Sequence, residues 1–453
     1  MNKMDIIEII EKKKNKQELT KEEIYYFVEG VTNQSIPDYQ QSALLMAICI
    51  NGMNYREIKD LTMAMTYSGY TLDLTSVPGV VLDKHSTGGV GDKTTLIIGP
   101  IMASLGVPVA KMSGRGLGIT GGTIDKLEAI PGFSSNVSEE QFIEALTTVG
   151  FVDGAQTKSF APADKYLYAL RDVTGTVQSI PLIVSSIMSK KLALYTDGIV
   201  LDVKCGSGAF METREDAEEL AGIMIEVGKL AKRKCKAVVS DMNEPLGYTV
   251  GNTLEVVEAV QFLRGTVQNP RLKTLVITLC SEMYKLYLEQ SEDVPEMTDE
   301  KIEKLILESI DSGKAYKKFK EFVTNQGGDV SFIDSIPDTL EELGESFVSS
   351  GCVEIKANKS GTICCITAHE VGRASQALGA GRITKDDEID MGAGIVFKKT
   401  VSDEVSEGDV IALIYADDKY KLKSAKKMME KAITIKSDLK EPIHNDIIIC
   451  KKN

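Results

Sequence analysis

The sequence between residues 79 and 232 alternates short β-branched runs, glycine clusters and helix-forming stretches. A strand predicted at residues 80–82 precedes a loop that begins at Asp83 and contains HSTGGVGDK. A second strand at 107–112 precedes SGRGLGITGGT, and a third at 199–203 precedes KCGSGAF. Strands that each lead through a loop into a helix are typical of a parallel sheet covered by helices. This pattern predicts an α/β domain.

The flanking regions have different patterns. Capping boxes at Thr20–Glu23 and Asn54–Glu57 predict helices in the first 70 residues, whereas short strands are predicted after residue 345, including 361–367, 394–397 and 410–415. We therefore predict an α/β protein with three parts. These are a small all-helical domain (1–70 with about 162–194), a large α/β domain with a central mixed or parallel sheet (79–154 with 197–340) and a β-rich C-terminal lobe (345–453).

Composition excludes several classes of protein. A chain of 453 residues with a formal charge of −14 is long enough for two or three domains of about 150 residues, and its acidity argues against nucleic-acid binding. The apolar runs are shorter than the roughly 20 residues of a membrane-spanning helix, and the N-terminus lacks the pattern of a signal peptide. The eight cysteines include no CxxC pair. A reducing, cytoplasmic location is expected.

The first glycine-rich segment has the chemistry of an anion site. It runs from Asp83 to Thr95, follows a predicted strand and opens a predicted helix. Glycines allow backbone N–H groups to approach an anion, and the helix N-terminus adds partial positive charge. Lys84, Ser86 and Thr95 add a cation and two hydroxyl groups. The segment is neither a Walker loop nor a GxGxxG dinucleotide loop, and it predicts a phosphate site.

A second segment, from Lys111 to Thr123, again combines a cation, hydroxyl groups and glycines after a predicted strand. Loops at neighbouring strand ends face the crevice where parallel sheets bind ligands. The two segments therefore predict one shared phosphate site. Arg115 and Asp125 either contact the ligand or orient the loops through a salt bridge.

The sequence SGRGLGITGGTIDKLEAIPGF at 113–133 closely resembles the signature of the thymidine and pyrimidine-nucleoside phosphorylases. DKHSTGGVGDK at 83–93 is similar to that family's phosphate loop, and the similarity includes YALRD at 168–172 and SIMSKKLA at 186–193. The resemblance implies reversible phosphorolysis of uridine, deoxyuridine or thymidine to the free base and a pentose 1-phosphate. Lys111 resembles the pyrimidine-nucleoside branch of the family.

The resemblance also implies roles for individual residues. The implied phosphate-binding residues are Lys84, His85, Ser86, Thr95, Lys111, Met112, Ser113 and Thr123. The implied nucleoside-binding residues are Tyr168, Arg171, Ser186 and Lys190. His85, Arg171 and Lys190 are the implied catalytic residues: the two cations stabilise negative charge on the departing base, and His85 acts as general acid.

A potassium site is a further implication, with Gly91, Lys93, Leu246, Thr249 and Glu258 as the matching positions; no organic cofactor is implied. The chain departs from the family at Lys93, where relatives often have threonine. An ammonium group there would compete with the ion, although a backbone carbonyl ligand would survive the change. Ile119 stands where many relatives have histidine.

The implied assembly is a homodimer whose domains close across hinges near 66–79, 155–162 and 194–197. Two alternatives remain open at the level of sequence: a phosphoribosyltransferase of related architecture and a nucleoside-binding protein without turnover. His369 and His444 are interpreted as structural or surface residues.

Overall fold

The computed structural model describes residues 4–116, 119, 121–155, 159–291, 295, 297–382, 384, 387–438 and 446–453. Leu117, Gly118 and Thr120 of the second glycine-rich segment, residues 156–158 of one predicted hinge and His444 lie outside the described residues. Within the described residues, no helix combines the length and apolarity needed to cross a membrane.

The N-terminal region is a helical bundle, as predicted. Its helices are α1 (Ile6–Lys14), α2 (Lys21–Thr32), α3 (Asp38–Asn51) and α4 (Tyr55–Thr66). Both capping boxes are confirmed: the side chains of Thr20 and Asn54 accept hydrogen bonds from the backbones of Glu23 and Glu57, and each glutamate bonds back. Local capping signals therefore fix where α2 and α4 begin.

The α/β region follows. Two helices within this stretch of sequence pack against the N-terminal helical bundle. In chain order its elements are β1 (Leu82–Ser86), α5 (Thr94–Ser104), β2 (Val109–Ser113), α6 (Thr123–Leu127), α7 (Glu139–Thr148), β3 (Phe151–Ala155), α8 (Pro162–Thr174), α9 (Ile180–Ala193), β4 (Gly198–Cys205), α10 (Arg214–Leu230), β5 (Lys234–Asp241), β6 (Thr249–Val250), α11 (Asn252–Arg264), α12 (Pro270–Leu288), α13 (Asp299–Asp311), α14 (Lys314–Asn325) and α15 (Val330–Asp334). Helices α8 and α9 pack against α2, α3 and α4. Ala163, Leu167 and Leu182 belong to the apolar core of that bundle.

The first strand is displaced from its predicted position. Residues 80–82 were predicted as the strand and Asp83 as the start of a loop, but β1 runs from Leu82 to Ser86. Residues 82–86 pair in parallel with 198–202 of β4, so cross-strand hydrogen bonds extend the strand through its polar residues. Successive side chains of a strand point to opposite faces, so Lys84 and His85 point in opposite directions.

A mixed sheet of six strands forms the centre of the large domain. Its order is β13-β5-β4-β1-β2-β3, in which β13 (Ile448–Lys452) runs antiparallel to β5 and the other neighbours are parallel. Both faces of the sheet are buried: Val200 and Val238 belong to one apolar core, whereas Leu201 and Val239 belong to another. Burial on both faces is typical of parallel strands.

The C-terminal lobe is rich in short strands, as predicted. Its elements are β7 (Cys352–Lys356), β8 (Gly361–Ile366), α16 (Ala368–Leu378), β9 (Gly394–Phe397), β10 (Glu404–Val405), β11 (Val410–Tyr415), α17 (Lys419–Ala432) and β12 (Ile433–Lys436). These strands form a three-stranded sheet, β10-β8-β12, and a four-stranded sheet, β6-β9-β11-β7, that borrows β6 from the large domain. The lobe is therefore joined to the large domain through β6 as well as through β13.

Three segments connect the helical bundle to the large domain, and they lie side by side. Tyr70 bridges to Phe160 and Leu72 bridges to Leu194, both in parallel orientation. The backbone N–H of Tyr70 donates to the carbonyl of Ser159 at 2.8 Å. The predicted hinge stretches are thus neighbours in space.

Candidate functional site

A cavity of about 190 Å³ opens between the two glycine-rich segments, at the carboxyl ends of β1 and β2. We call it the glycine-loop cavity. Of the eight residues predicted to bind phosphate, the lining includes His85, Ser86, Thr95, Lys111, Met112, Ser113 and Thr123. It also includes Asp92, Arg115 and the glycines at 88, 114, 116, 121 and 122. The predicted convergence of the two loops is therefore present in the fold.

The first loop is ordered by its own polar groups. The Ser86 hydroxyl donates to Asp92 at 2.5 Å, and the Thr94 hydroxyl donates to the other oxygen of Asp92 at 2.5 Å. Although burial alone would raise it, the pKa of Asp92 lies well below 3.8 because Lys204, Lys84 and Lys126 surround the carboxylate. The carboxylate therefore holds the loop against the N-terminus of α5.

Lys84 is the predicted phosphate ligand that does not line the glycine-loop cavity. Its ammonium donates to the hydroxyl of Thr94 at 2.6 Å and lies 3.6 Å from Asp202. Burial lowers the pKa of Lys84, against the opposing effect of Asp92 and Asp202. Since Thr94 in turn bonds Asp92, Lys84 supports the loop from the interior.

Below the second loop lies a buried cluster of opposite charges. Lys191 lies 3.0 Å from Asp83 and donates to the Met112 carbonyl at 3.1 Å. Burial, together with the charge of Lys191, lowers the pKa of Lys111 to about 8. Burial raises the pKa of Asp153 to about 6, although Lys111 and the hydroxyl of Ser113, which donates to Asp153 at 2.8 Å, both oppose the rise.

His85 lies among these cations. Burial, and after it the charges of Lys191, Lys111, Lys84 and Lys190, hold the pKa of His85 well below 6.5. The imidazole is therefore neutral near pH 7. Among the described residues, its buried Nε2 has no hydrogen-bond partner. A neutral ring with a free nitrogen at a cavity wall is suited to exchanging a hydrogen bond with a ligand.

The second loop is clamped by the C-terminal lobe. Asp125 accepts a hydrogen bond from the backbone N–H of Gly116 at 2.7 Å and pairs with Arg382 at 3.0 Å. Arg115 lies 3.2 Å from Asp125 and 2.6 Å from Glu128, so it forms the salt bridge that was one of its two predicted roles. Arg382 therefore links a distant part of the chain to the cavity wall.

The four predicted nucleoside-binding residues form a second group, the α8–α9 cluster: Tyr168, Arg171, Ser186 and Lys190. Lys190 contacts Asp164 at 2.5 Å and Ser186 at 3.2 Å. The Arg171 guanidinium donates to the backbone carbonyls of residues 176, 177 and 182. It also lies 5.7 Å from the centre of the Tyr168 ring. The positive charges of this cluster thus already have protein partners.

The residues predicted to bind potassium also come together, around the ammonium of Lys93. Its Nζ donates to the carbonyls of Leu246 at 2.7 Å and Thr249 at 3.0 Å, and to the Glu258 carboxylate at 2.8 Å. The carbonyl of Gly91 instead accepts the backbone N–H of Lys93. Because a fixed positive charge already faces the three oxygen ligands, the set does not fit an additional cation.

Comparison with known proteins identifies the family. Over 415 residues the chain is 51% identical to a pyrimidine-nucleoside phosphorylase of Bacillus subtilis, an alignment that covers 91% of this chain and 92% of the relative. The chain belongs to the pyrimidine-nucleoside phosphorylase family. Relatives with the same name from Staphylococcus epidermidis and Staphylococcus aureus are 49% and 48% identical, over 97% and 98% of this chain and 98% and 100% of their own lengths.

Three family descriptions match successive parts of the chain. They are the glycosyl transferase family helical bundle domain (7–69), the glycosyl transferase family a/b domain (78–316) and the pyrimidine nucleoside phosphorylase C-terminal domain (362–436). The fold is also similar to a crystal structure of anthranilate phosphoribosyltransferase from Thermus thermophilus, with a TM-score of 0.57 and 20% identity, over 71% of this chain and 99% of that chain. This second similarity concerns the fold alone.

The structure adds residues that sequence reasoning missed. Asp153, Asp164 and Lys191 contact the predicted site residues Ser113, Lys190 and Met112, and Asp83 pairs with Lys191. Asp83 and Lys191 lie inside the segments that resemble the family, but each adjoins a residue that was itself predicted to bind a ligand. Asp153 and Asp164 carry no local motif, and only the fold brings them to the site.

Proposed function

We propose that the chain catalyses the reversible phosphorolysis of pyrimidine nucleosides, among them uridine, deoxyuridine and thymidine, to the free base and a pentose 1-phosphate. The observation that supports this most is the glycine-loop cavity, in a chain about half identical to named pyrimidine-nucleoside phosphorylases. Phosphate is itself the nucleophile, so the protein needs to hold it in line with the anomeric carbon and to stabilise the leaving base.

In this proposal the cavity binds phosphate. Backbone N–H groups of its glycines, the hydroxyls of Ser86, Thr95, Ser113 and Thr123, and the positive charge of Lys111 surround the anion. Lys84 acts from beneath the loop, through Thr94. In the bound state the hydroxyls of Ser86 and Ser113 turn from their present acceptors, Asp92 and Asp153, towards phosphate oxygens.

The α8–α9 cluster then binds the base. Arg171, Ser186 and Lys190 donate to base oxygens and nitrogen, and Tyr168 packs against the ring. Their positive charges stabilise negative charge on the base as the glycosidic bond lengthens. Because the pKa of His85 is low, its imidazole is neutral. It therefore donates a hydrogen bond to a base oxygen as a neutral ring and does not act as an imidazolium.

A side-by-side product assay tests the proposal. The protein is incubated with phosphate and uridine, thymidine, cytidine or inosine, and free base and sugar phosphate are quantified by chromatography. We expect phosphate-dependent release of uracil and thymine. Cleavage of inosine without cleavage of uridine would overturn the substrate class, and base release without phosphate would overturn the reaction.

A phosphoribosyltransferase is the second candidate, because the fold resembles one. Such enzymes act on a magnesium-bound pyrophosphate donor. Phosphorolysis of uridine that is unchanged by a metal chelator supports the first proposal. Absence of uridine phosphorolysis, together with magnesium-dependent release of pyrophosphate from a phosphoribosyl pyrophosphate donor, would favour the phosphoribosyltransferase.

We also propose a cytoplasmic homodimer. Apolar side chains are exposed on the outer faces of α1 and α3, including Ile7, Tyr39, Met46 and Ile50. A second copy would bury such a surface. Light scattering should give twice the 49.4 kDa of one chain; a monomer at micromolar concentration would contradict the assembly.

A further inference from the structure

The Lys93 ammonium has a complete set of hydrogen-bond partners. It has three N–H donors, and three oxygens lie within 3.0 Å: the carbonyls of Leu246 and Thr249 and one carboxylate oxygen of Glu258. The exposed fraction of the two charged side chains is 0% for Lys93 and 1% for Glu258. A buried ion pair is stabilising only when its remaining polar atoms are satisfied, and this one meets that condition.

The Glu258 carboxylate is equally occupied. One oxygen accepts the backbone N–H of Tyr248 at 2.7 Å. The other accepts the backbone N–H of Thr249 at 2.8 Å and its hydroxyl at 2.7 Å, in addition to Lys93. A metal ion at this point would have to displace the lysine, because the ammonium already lies between the carboxylate and the two carbonyls that would bind the ion.

Glycines allow the surrounding backbone to close on the ammonium. A Cβ added at Gly247 would lie 2.6 Å from the Lys93 Nζ and 2.5 Å from a Glu258 oxygen. A Cβ at Gly91 would lie 2.5 Å from the carbonyl of Leu246. Both glycines have positive φ, 84° and 78°, which disfavours any side chain there.

The position of this centre connects it to the glycine-loop cavity. Lys93 is the N-cap residue of α5, between Asp92 and Thr95, which both line the cavity. Its side chain reaches a loop and a helix more than 150 residues later in the chain, as the contacts at separations of 153 and 165 residues show. Lys93 therefore fixes the first glycine loop to α11.

We propose that the Lys93 ammonium is a covalently attached substitute for a monovalent cation, and that it makes this chain's activity and stability independent of potassium. A bound ion stabilises a fold according to its concentration. A lysine supplies the same charge at every salt composition. Lys93 is thus a positioning residue for the phosphate loop. The activity part of this inference rests on the proposed function, whereas the stability part does not.

The first test uses the wild-type protein at constant ionic strength in KCl, NaCl or choline chloride. We expect phosphorolysis rates within about twofold of each other and the same melting temperature in all three salts. A rate that falls about tenfold in choline chloride and recovers in KCl would overturn the proposal. Absence of phosphorolysis in every salt would contradict the proposed function only, since the melting temperatures still test the substitution.

The second test replaces the cation. In Lys93→Thr, the carbonyls and the carboxylate lose their donor, so we expect a melting temperature lower by about 10 °C in choline chloride. The KM for phosphate should rise about tenfold, with a smaller change in the KM for the nucleoside. KCl should restore much of both properties, because the oxygens now face a site open to a hard cation. If KCl restores neither the melting temperature nor the KM for phosphate, the proposal is contradicted.

Two further variants separate this effect from general damage. Lys13→Thr breaks a buried ion pair of the helical bundle, Lys13 to Glu57 at 2.9 Å, so it should lose stability without a specific response to potassium. Lys93→Met fills the space with an uncharged side chain, so potassium should not rescue it. Potassium rescue of either variant to the same extent as Lys93→Thr would show a general salt effect and would overturn the proposal.

Discussion

The glycine-loop cavity and the α8–α9 cluster differ in how their polar groups are prepared. The cavity is already shaped, and seven of the predicted phosphate ligands line it together. In the α8–α9 cluster, Lys190 is paired with Asp164, and Arg171 donates to three backbone carbonyls. The hydroxyls of Ser86 and Ser113 at the cavity also bond to carboxylates, but the cavity leaves an open space between the loops, whereas both cations of the α8–α9 cluster are directed at the protein.

This difference has a physical origin. Backbone N–H groups in glycine loops and at a helix N-terminus are fixed by the fold, so they form an anion site without a ligand. Long cationic side chains that face a cleft without ligand are stabilised by nearby carboxylates and carbonyls. Binding at the α8–α9 cluster must therefore exchange one hydrogen-bond partner of each cation for another.

The largest effect is expected at the α8–α9 cluster. Lys190→Ala removes a charge that stabilises the departing base, so kcat should fall by about 10²–10³. Protection of the fold by phosphate in a thermal-shift assay should remain, because the glycine loops are untouched. Lys165→Ala, which removes an exposed cation from α8, is the matched control and should leave kcat unchanged. Loss of the phosphate protection in Lys190→Ala would show that the two regions are assigned the wrong way round.

Next in size is the cavity itself. Lys84→Ala removes the support of Thr94, so the KM for phosphate should rise about 10–100-fold while the KM for nucleoside changes little. The fold should survive, because Asp202 keeps a second partner in Lys204 at 2.7 Å. Steady-state kinetics with each substrate varied in turn provides the measurement, and equal losses for both substrates would contradict the separation of the two regions.

A smaller effect is expected from pH. Lys111, with its pKa of about 8, loses its charge above that pH, so kcat/KM for phosphate should fall towards about one tenth by pH 9. Unfolding does not explain this fall: between pH 8 and 10.5 the unfolded chain binds more protons at this residue, so its contribution to stability rises with pH.

The matched variant for the pH test is Lys111→Arg, which keeps its charge throughout the range. The alkaline fall should disappear in this variant, whatever its absolute rate. A fall at the same pH in both proteins would assign the ionisation to another group.

The smallest effect is expected from the clamp on the second loop. Arg382→Ala removes the C-terminal lobe's pairing with Asp125, so the KM for phosphate should rise about three- to tenfold. Arg373→Ala is the control, because that arginine is half exposed and its ion pair with Glu370 does not involve the second loop. Identical kinetics for the two variants would show that the lobe does not hold the cavity wall.

Local signals explain what could be predicted from the sequence. Capping boxes and glycine loops depend on a few consecutive residues, so they can be identified in a sequence. The structure confirms the helical bundle and the strand-loop-helix order that they predicted. The start and end of β1 were predicted wrongly, because pairing with β4 rather than local propensity decides them. Because residues from Asp83 onward were predicted to form a loop, the prediction did not show that Asp83, Lys84 and His85 alternate between the two faces of the strand.

Partners distant in the chain could not be predicted in the same way. The ammonium of Lys93 meets Glu258 across 165 residues, and Arg382 meets Asp125 across 257. The resemblance grouped the predicted potassium ligands, and the departure at Lys93 indicated an ammonium that would compete with the ion. It did not decide between that outcome and an ion held by backbone carbonyls. Only packing, which buries that side chain completely, decides its direction.

The strand β13 has a consequence for how the protein matures on the ribosome. Residues 448–452 cover the edge of β5, whose central residues are buried. Until those residues leave the exit tunnel, nascent chains present an unpaired strand edge that another chain can extend. The central sheet is therefore completed only after the C-terminal lobe, residues 345–436, has been synthesised.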